Sequence, residues 1–410
     1  MSEPAVGAPA LAVETVAADD IGLLIPLLDQ RDPLLFIRRG EGVAGIGEAL
    51  RLEFSGPTRL ADAAAAWREI VAGATVTDPI ALPGSGLIAL GSFAFAEGSN
   101  ATSVLIVPQV VIGRRGGRSW ITRINSDAPT PSPTALGPEY RISLLPGAMT
   151  ADAFVAAVDS AIAAIASGTV SKVVLARDLL GRLPEGADLR RVLTYLALGY
   201  PDCFTYAVNG LVGSSPETLV RVDRGSVSAR VLAGSIARGG DADADLDASI
   251  TLATSTKDLD EHQYAISSVM TALAPHSSTL AASDLPFTLK LPNLWHLASD
   301  VEGTLSDGST SLDLVAALHP TAAVAGSPTP AALDLIEQLE PFDRGRYAGP
   351  VGWVDANGDG EWAVALRCAH VSSTGRITAY AGAGIVRGSE AARELAETKM
   401  KFRPIVEAFS

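Results

Sequence analysis

Two hydrophobic periods alternate along this chain. Between Leu23 and about Arg123, short apolar runs of strand length are separated by Gly and Pro: LLFIRR, GLIALGSFAF, SVLIVPQVVIG and RSWITRI. One stretch, RLADAAAAWREIVAG from Arg59 to Gly73, reads as a helix. Residues 1–20 read as a loose tail or a weak first strand. NSDAPTPSPTALGPEYRI, rich in Ser, Pro and Thr, reads as an exposed connection. From Thr150 the pattern changes. TADAFVAAVDSAIAAIASG spaces Phe154, Val158, Ile162 and Ile165 at helical intervals, with Thr150 placed to cap the start and Gly168 to end it. Strand signals follow at TVSKVVLARDL, CFTYAVN, TLVRVD and SVSARVLAG, then a helix over roughly Ser255 to Leu273, then further strands and helices. Hairpins mixed with long helices favour an α+β fold over a regular parallel βαβ array. No repeat of fixed period is present.

Composition narrows the function classes. The 410 residues carry a net charge of -15, which argues against nucleic acid or an anionic membrane as partner. An anionic ligand would therefore need local cations or a metal. The two cysteines, Cys203 and Cys368, form no CxxC pair, so a reduced, cytoplasmic chain is the simplest expectation. The first twenty residues lack the basic region and apolar core of a signal peptide, and no run approaches the ~20 apolar residues of a membrane span.

The chemistry-bearing residues are scattered. SKVVLARDLL sets Lys172 against an apolar strand, where an ammonium either reaches for water or is held dry for a purpose. Asp258 and Glu261 are three apart on one helix, and Glu394 and Glu397 repeat that spacing on the last helix. Such pairs suit a hard cation such as Mg2+, but also acids merely solvated near a helix start. Glu217, after Ser-Ser-Pro at the mouth of a strand, is a candidate general acid if shielded, or an ordinary turn residue. LAGSIARGG and AYAGAGIVRG read as glycine-rich turns whose N-H groups could approach an anion; neither is a Walker A or a GxGxxG loop. Arg367, placed on a strand after the ANGDGEW hairpin, needs either a ligand carboxylate or an internal partner. The five histidines show no paired metal spacing, and His296 reads as a strand residue in the core.

In order, SKVVLARDL, GSSPETLV, LAGSIARGG, KDLDEHQYAI, LPNLWHLASDVEGTL, LHPTAAVAGSPTPAALDLIEQLEPFDRGRYAGPVGW, GDGEWAVALRCA and AGAGIVRGSEAARELAETKMKF resemble the chorismate-utilising enzymes, and among them the isochorismate synthases most closely. The resemblance is dense over about residues 150–405 and general before that. It implies an α+β fold like that of anthranilate synthase component I, with two facing β-sheets flanked by helices and the site between them. Residues 21–149 would add strands and a helix to the same fold, and residues 150–408 would form the chorismate-binding catalytic region. The implied activity is a reversible, Mg2+-dependent conversion of chorismate to isochorismate, by water attack at C2 and loss of the C4 hydroxyl.

By the same resemblance Lys172 matches the general base and Glu217 the general acid. Glu261 and Glu397 match the Mg2+ ligands, supported by Asp258 and Glu394. The backbone at Gly234 and Ser235 would receive the ring carboxylate. Tyr347, Arg367 and the N-H groups of a Gly382–Gly384 turn would hold the enolpyruvyl carboxylate. Lys401 belongs to the same substrate-binding set, and His296 matches a histidine near C4. The chain departs from the family pattern at Ile236–Ala237 and at Ala323 and Ala325. Relatives that add ammonia include one, anthranilate synthase, with a non-basic residue at the Lys172 position, so Lys172 argues for water and no glutaminase subunit is expected. Salicylate synthase, which keeps this lysine and then eliminates pyruvate, is the alternative, as is a catalytically silent chorismate-binding protein. A monomer feeding menaquinone or siderophore biosynthesis is the remaining implication.

Overall fold

The computed structural model describes residues 10–19 and 21–410; residues 1–9 and 20 of the expected tail lie outside the described residues. The part described at Ala12–Ala18 is a strand, paired with Arg118–Ile124 and, in parallel, with Thr75–Thr77. Among the described residues the strands form one sheet of 13 and one of 10, flanked by helices, as the α+β expectation requires.

The helices read from periodicity are present at Arg59–Gly73, Ala151–Ala166 and Thr256–Leu273. Thr150 caps the second, its hydroxyl accepting from the Ala153 N-H, and Gly168 follows it in the left-handed region at φ +82. Ser255 caps the third through the Asp258 N-H. Four shorter helices, Arg190–Gly199, Ala242–Thr254, Ser311–Leu318 and Thr329–Leu339, occupy stretches that the apolar spacing did not separate from strands. The last helix, Ala391–Phe409, carries the second acid pair.

Strand alternation builds two cores, one on each face of the large sheet. In Leu34–Arg38, Leu34 and Phe36 enter the core between the sheets, while Leu35 and Ile37 enter the core under Arg190–Gly199 and the end of Ala391–Phe409. Each such side chain, fully buried, stabilises the fold by about 1.5–3 kcal/mol. The connection at residues 125–144 is mostly exposed but pinned: the Gly137 N-H donates to Asp188, and the buried Arg190 donates to the Ala135 carbonyl and the Thr134 hydroxyl.

Sheet-to-sheet crossings organise the molecule. The single apolar run SVLIVPQVVIG is two strands in different sheets, Ser103–Val107 and Val110–Arg115, broken at Pro108. Likewise Leu211–Ser215 lies in the large sheet and Thr218–Asp223 in the smaller one, and Gly360–Val364 passes back to Cys368–Val371. The last two corners lie side by side. The Val364 N-H donates to the Glu217 carbonyl and the Ser214 N-H to the Arg367 carbonyl, both at 3.2 Å. Sequence-distant Glu217 and Arg367 are thereby fixed as neighbours.

The strand Lys172–Arg182 is held from one side by a buried ion pair. Glu340 accepts the Ala176 N-H at 2.8 Å, and Arg344, bonded to Glu340, donates to the carbonyls of Val174 and Val324. Removing one partner of such a pair strands the other charge in the interior. Arg344→Met is expected to destabilise the chain by about 3–5 kcal/mol in urea unfolding, with part of the loss recovered in Arg344→Met/Glu340→Gln. A loss below about 1 kcal/mol would mean that the pair does not hold this strand.

Candidate active site

Lys172 opens the strand Lys172–Arg182, antiparallel to Arg376–Val386. Its neighbours Val173 and Leu175 enter the core shared with Phe154 and Val158. Lys172 is itself 0% exposed, so it does not reach for water. Its Nζ lies 3.4 Å from Glu261 Oε1 without a well-formed hydrogen bond to any partner. Burial pushes its pKa down, opposed chiefly by Glu261 and then by Glu217.

The approach of Glu261 depends on Gly384, because a Cβ there would collide with the Glu261 carboxylate. Gly382, two residues earlier and on the same face, leaves room for the Tyr347 hydroxyl and gives its carbonyl to Lys401 at 3.1 Å. Both glycines sit inside the strand Arg376–Val386, paired with Ala176 and Val174, rather than in the expected turn. Their use is close approach of side chains. Gly234 is likewise within a strand, Ser226–Ala237, at a bulge with φ +78 where a side chain would meet Asp258. Ser235, next to it, donates to Glu397 Oε1 at 2.9 Å.

The four candidate acids gather from two helices, each in range of a lysine. Glu397 pairs with Lys401, Glu261 with Lys172, and Glu394 with Lys257, whose Nζ is 3.0 Å from Oε1 and 3.9 Å from Asp258 Oδ1. For Glu397, burial raises the pKa but Lys401 and Lys257 outweigh it, bringing the carboxyl to about 2. For Glu394, burial and then the Glu397 charge push it up to about 7. Burial also raises Asp258.

Glu217, 5% exposed, is pushed up by burial to about 8 despite Lys172, Lys401 and Arg367, so it is mostly protonated at neutral pH. Arg367 is not on a strand as expected. It occupies the neighbouring corner in the left-handed region at φ +49, uncommon for a non-glycine residue. His296, on the strand Leu294–Leu305, is bonded from both sides. Its Nδ1 faces the Gly234 carbonyl at 3.1 Å and its Nε2 the Arg367 Nη2 at 3.0 Å. A carbonyl only accepts and a guanidinium only donates, so the ring is neutral with its proton on Nδ1. Burial, then the Arg367 and Lys401 charges, lower its pKa to about 3.

Glu217, Gly234, Glu261, His296, Tyr347, Arg367, Gly382, Gly384 and Lys401 all line one cleft between the sheets, enclosing about 590 Å³ of atom-free space. Lys172 lies beyond Glu261, while Ser235 and Glu397 adjoin through Lys401. A wider depression, about 1820 Å³ by the same measure, lies by residues 182–187 and 370–375 and gathers none of these groups. Sequence reading missed the cleft's walls, Val174, Val324, Leu366 and Tyr380, which lie inside the motifs but bear no polar group that marks a role or, for Tyr380, were given none. It also missed Lys257, and the Glu340–Arg344 pair, which forms just past the end of the helix Thr329–Leu339, where no periodic spacing marks it.

The chorismate binding enzyme family model matches residues 139–410, and the chain belongs to that family. It is 42% identical over 263 residues to isochorismate synthase DhbC of Bacillus subtilis (strain 168), covering 61% of this chain and 66% of that protein. Against isochorismate synthase EntC of Escherichia coli (strain K12) it is 37% identical over 254 residues, 61% of this chain and 65% of that protein. The matched stretch thus spans just under two thirds of each relative. The crystal structure of DhbC from Bacillus anthracis has a TM-score of 0.79 at 31% identity, covering 94% of this chain and 98% of that one. MenF, the menaquinone-specific isochorismate synthase from Escherichia coli, shares the fold, with a TM-score of 0.79 at 23% identity over 98% and 96% of the two chains. Among the described residues, no helix is long and apolar enough to cross a membrane.

The His296 geometry is directly testable. Nitrogen-15 NMR of the imidazoles should find His296 neutral, protonated on Nδ1, throughout pH 5–8. A ring titrating near the ordinary value of about 6.5 would contradict the two-sided hydrogen bonding.

Proposed function

We propose that this protein is an isochorismate synthase, an isomerase that converts chorismate reversibly to isochorismate. The observation that carries the reading is the sealed Lys172, an amine whose burial favours its neutral form, set behind a cleft lined by the buried carboxyl of Glu217, whose pKa burial raises. Water is a weak nucleophile at neutral pH and needs a base; hydroxide is a poor leaving group and needs an acid. In the proposed step Lys172 Nζ takes a proton from water as its oxygen bonds to C2. The ring double bonds shift, the C4–O bond breaks, and Glu217 gives its proton to the departing hydroxyl, releasing water. Lys172 then holds the extra proton and Glu217 the negative charge, and returning the proton from lysine to glutamate resets the site. Arg367 and Tyr347, both lining the cleft, would receive the enolpyruvyl carboxylate. The backbone at Gly234 and Ser235, with Lys401, would meet the ring carboxylate. His296, bonded on both nitrogens, orients Arg367 rather than moving a proton.

A magnesium ion fits the donors. They are carboxylate oxygens, which suit a hard cation, and Glu394 Oε2 is buried without a hydrogen-bond partner. Among the described residues no three His, Cys, Asp or Glu side chains already converge as a metal-binding group; each acid is held instead by a lysine or a hydroxyl. Glu261 and Glu397 would hold the ion, supported by Asp258 and Glu394. When bound, it would supply the positive charge that an acidic protein needs to accept a dianionic substrate. The further reading is of a cytoplasmic monomer with no glutaminase subunit, its product serving menaquinone or siderophore biosynthesis.

Purified chain with chorismate and Mg2+ should yield isochorismate by chromatography, and EDTA should stop it. Substantial salicylate with pyruvate would favour salicylate synthase instead. Lys172→Ala should abolish turnover while substrate binding persists; retained turnover would remove the lysine from the mechanism.

Glu217 acts in its protonated form, so kcat/KM should fall as pH rises through about 8. Glu217→Gln should lower kcat by roughly 10²–10⁴-fold and lose that alkaline limb. An unchanged limb in that variant would assign it to another group.

A further inference from the structure

Three lysines face the acid cluster, and they are not equivalent. Lys172 is sealed from solvent in its strand, and Lys401 is tied to the Gly382 carbonyl as well as to Glu397. Lys257 has neither constraint. Among the described residues its ion-pair partners are the carboxylates of Glu394 and Asp258, and its side chain is 26% exposed rather than sealed. Four acids draw on it: Glu261, Glu394, Glu397 and Asp258.

Its position is otherwise unfavourable. Lys257 is the second residue of the helix Thr256–Leu273, at the positive end of the helix dipole, where a cation is disfavoured. The acids opposite must hold it there. Meanwhile Glu394, 1% exposed, uses Oε1 on Lys257 and leaves Oε2 unpaired in the interior.

We propose that Lys257 is the resident counter-cation of this cluster, and that its ammonium competes with a divalent cation for Glu394 and the neighbouring carboxylates. The inference rests on the magnesium reading above and adds a residue that sets the strength of metal binding. With Lys257 in place the free cluster is stable but binds metal weakly. As the metal enters, the ammonium swings toward solvent on its four-carbon stem. A monovalent charge is thereby exchanged for a divalent one at the same oxygens.

The test is binding of Mn2+ alone, without substrate, to the full chain by calorimetry or by loss of the free-ion EPR signal. Lys257→Met keeps the stem and removes the charge, and should tighten the Mn2+ Kd by about tenfold or more. Lys257→Arg keeps the charge and should stay within about twofold of the parent. Lys257→Gln serves as a second neutral variant if the methionine form does not fold, judged by circular dichroism. Glu397→Gln in the parent chain should weaken Mn2+ binding, which places the ion at the cluster. If Glu397→Gln changes nothing, the magnesium reading falls, and this inference with it. If Glu397→Gln weakens binding but the neutral Lys257 variants bind Mn2+ no better than the parent, Lys257 supports the site rather than competing for it, and this inference alone is overturned.

Discussion

The structure turns on an amine kept from water. Lys172 has no solvent contact and no well-formed hydrogen bond, only a carboxylate 3.4 Å away. Desolvating an ammonium and a carboxylate costs several kcal/mol per ion, and their attraction offsets that only in part. The surrounding architecture maintains the arrangement. Gly384 clears the space for Glu261, the core under Ala151–Ala166 anchors Val173 and Leu175, and the Glu340–Arg344 pair grips the same strand two and four residues further on. A lysine so placed has its proton affinity set by the protein rather than by water. A general base needs that property, and a structural lysine does not.

The charges next to the cleft suit an anion although the chain carries -15 overall. Net charge describes the distant field; the site is decided over a few ångströms. There, Arg367 and Lys401 line the cleft, burial raises the pKa of Glu217, and three lysines face the four acids.

Much of this was legible in the sequence, and the limits have physical causes. Helical period, aided by the Thr150 cap in one case, gave Arg59–Gly73, Ala151–Ala166 and Thr256–Leu273 close to their observed ends, because an amphipathic stripe is a local property. Strand locations were also readable. Which sheet a strand joins was not: SVLIVPQVVIG has one continuous apolar signature yet lies in both sheets, since period two reports faces and not neighbours. The glycines of LAGS and AGAG were misread as turns for a related reason. Glycine marks either backbone freedom or missing volume, and only the tertiary neighbours decide. At Gly384 it is the volume of Glu261, and at Gly234 it is both. The individual acids and Lys172 were ambiguous one by one and acquired meaning through the order of motifs, which carries information that no single spacing does.

The two crossover corners explain how such a site can be built from parts so far apart in the chain. A corner is where a strand leaves one sheet for the other, so its side chains necessarily lie at the seam between them. Placing Glu217 on one corner and Arg367 on the other, and bonding the corners backbone to backbone, fixes acid and cation without a loop that could drift. The left-handed backbone at Arg367 costs on the order of 1–3 kcal/mol, and it persists because the residue is held at both its carbonyl and its guanidinium. Ser214 holds its carbonyl, His296 its guanidinium, and Gly234 holds His296. His296 must be neutral to do this, since a protonated ring would present a donor to a donor. The low proton affinity of His296 is thus the condition for Arg367 to point into the cleft. A bulged glycine in the smaller sheet and a strained arginine at the seam belong to one connected support.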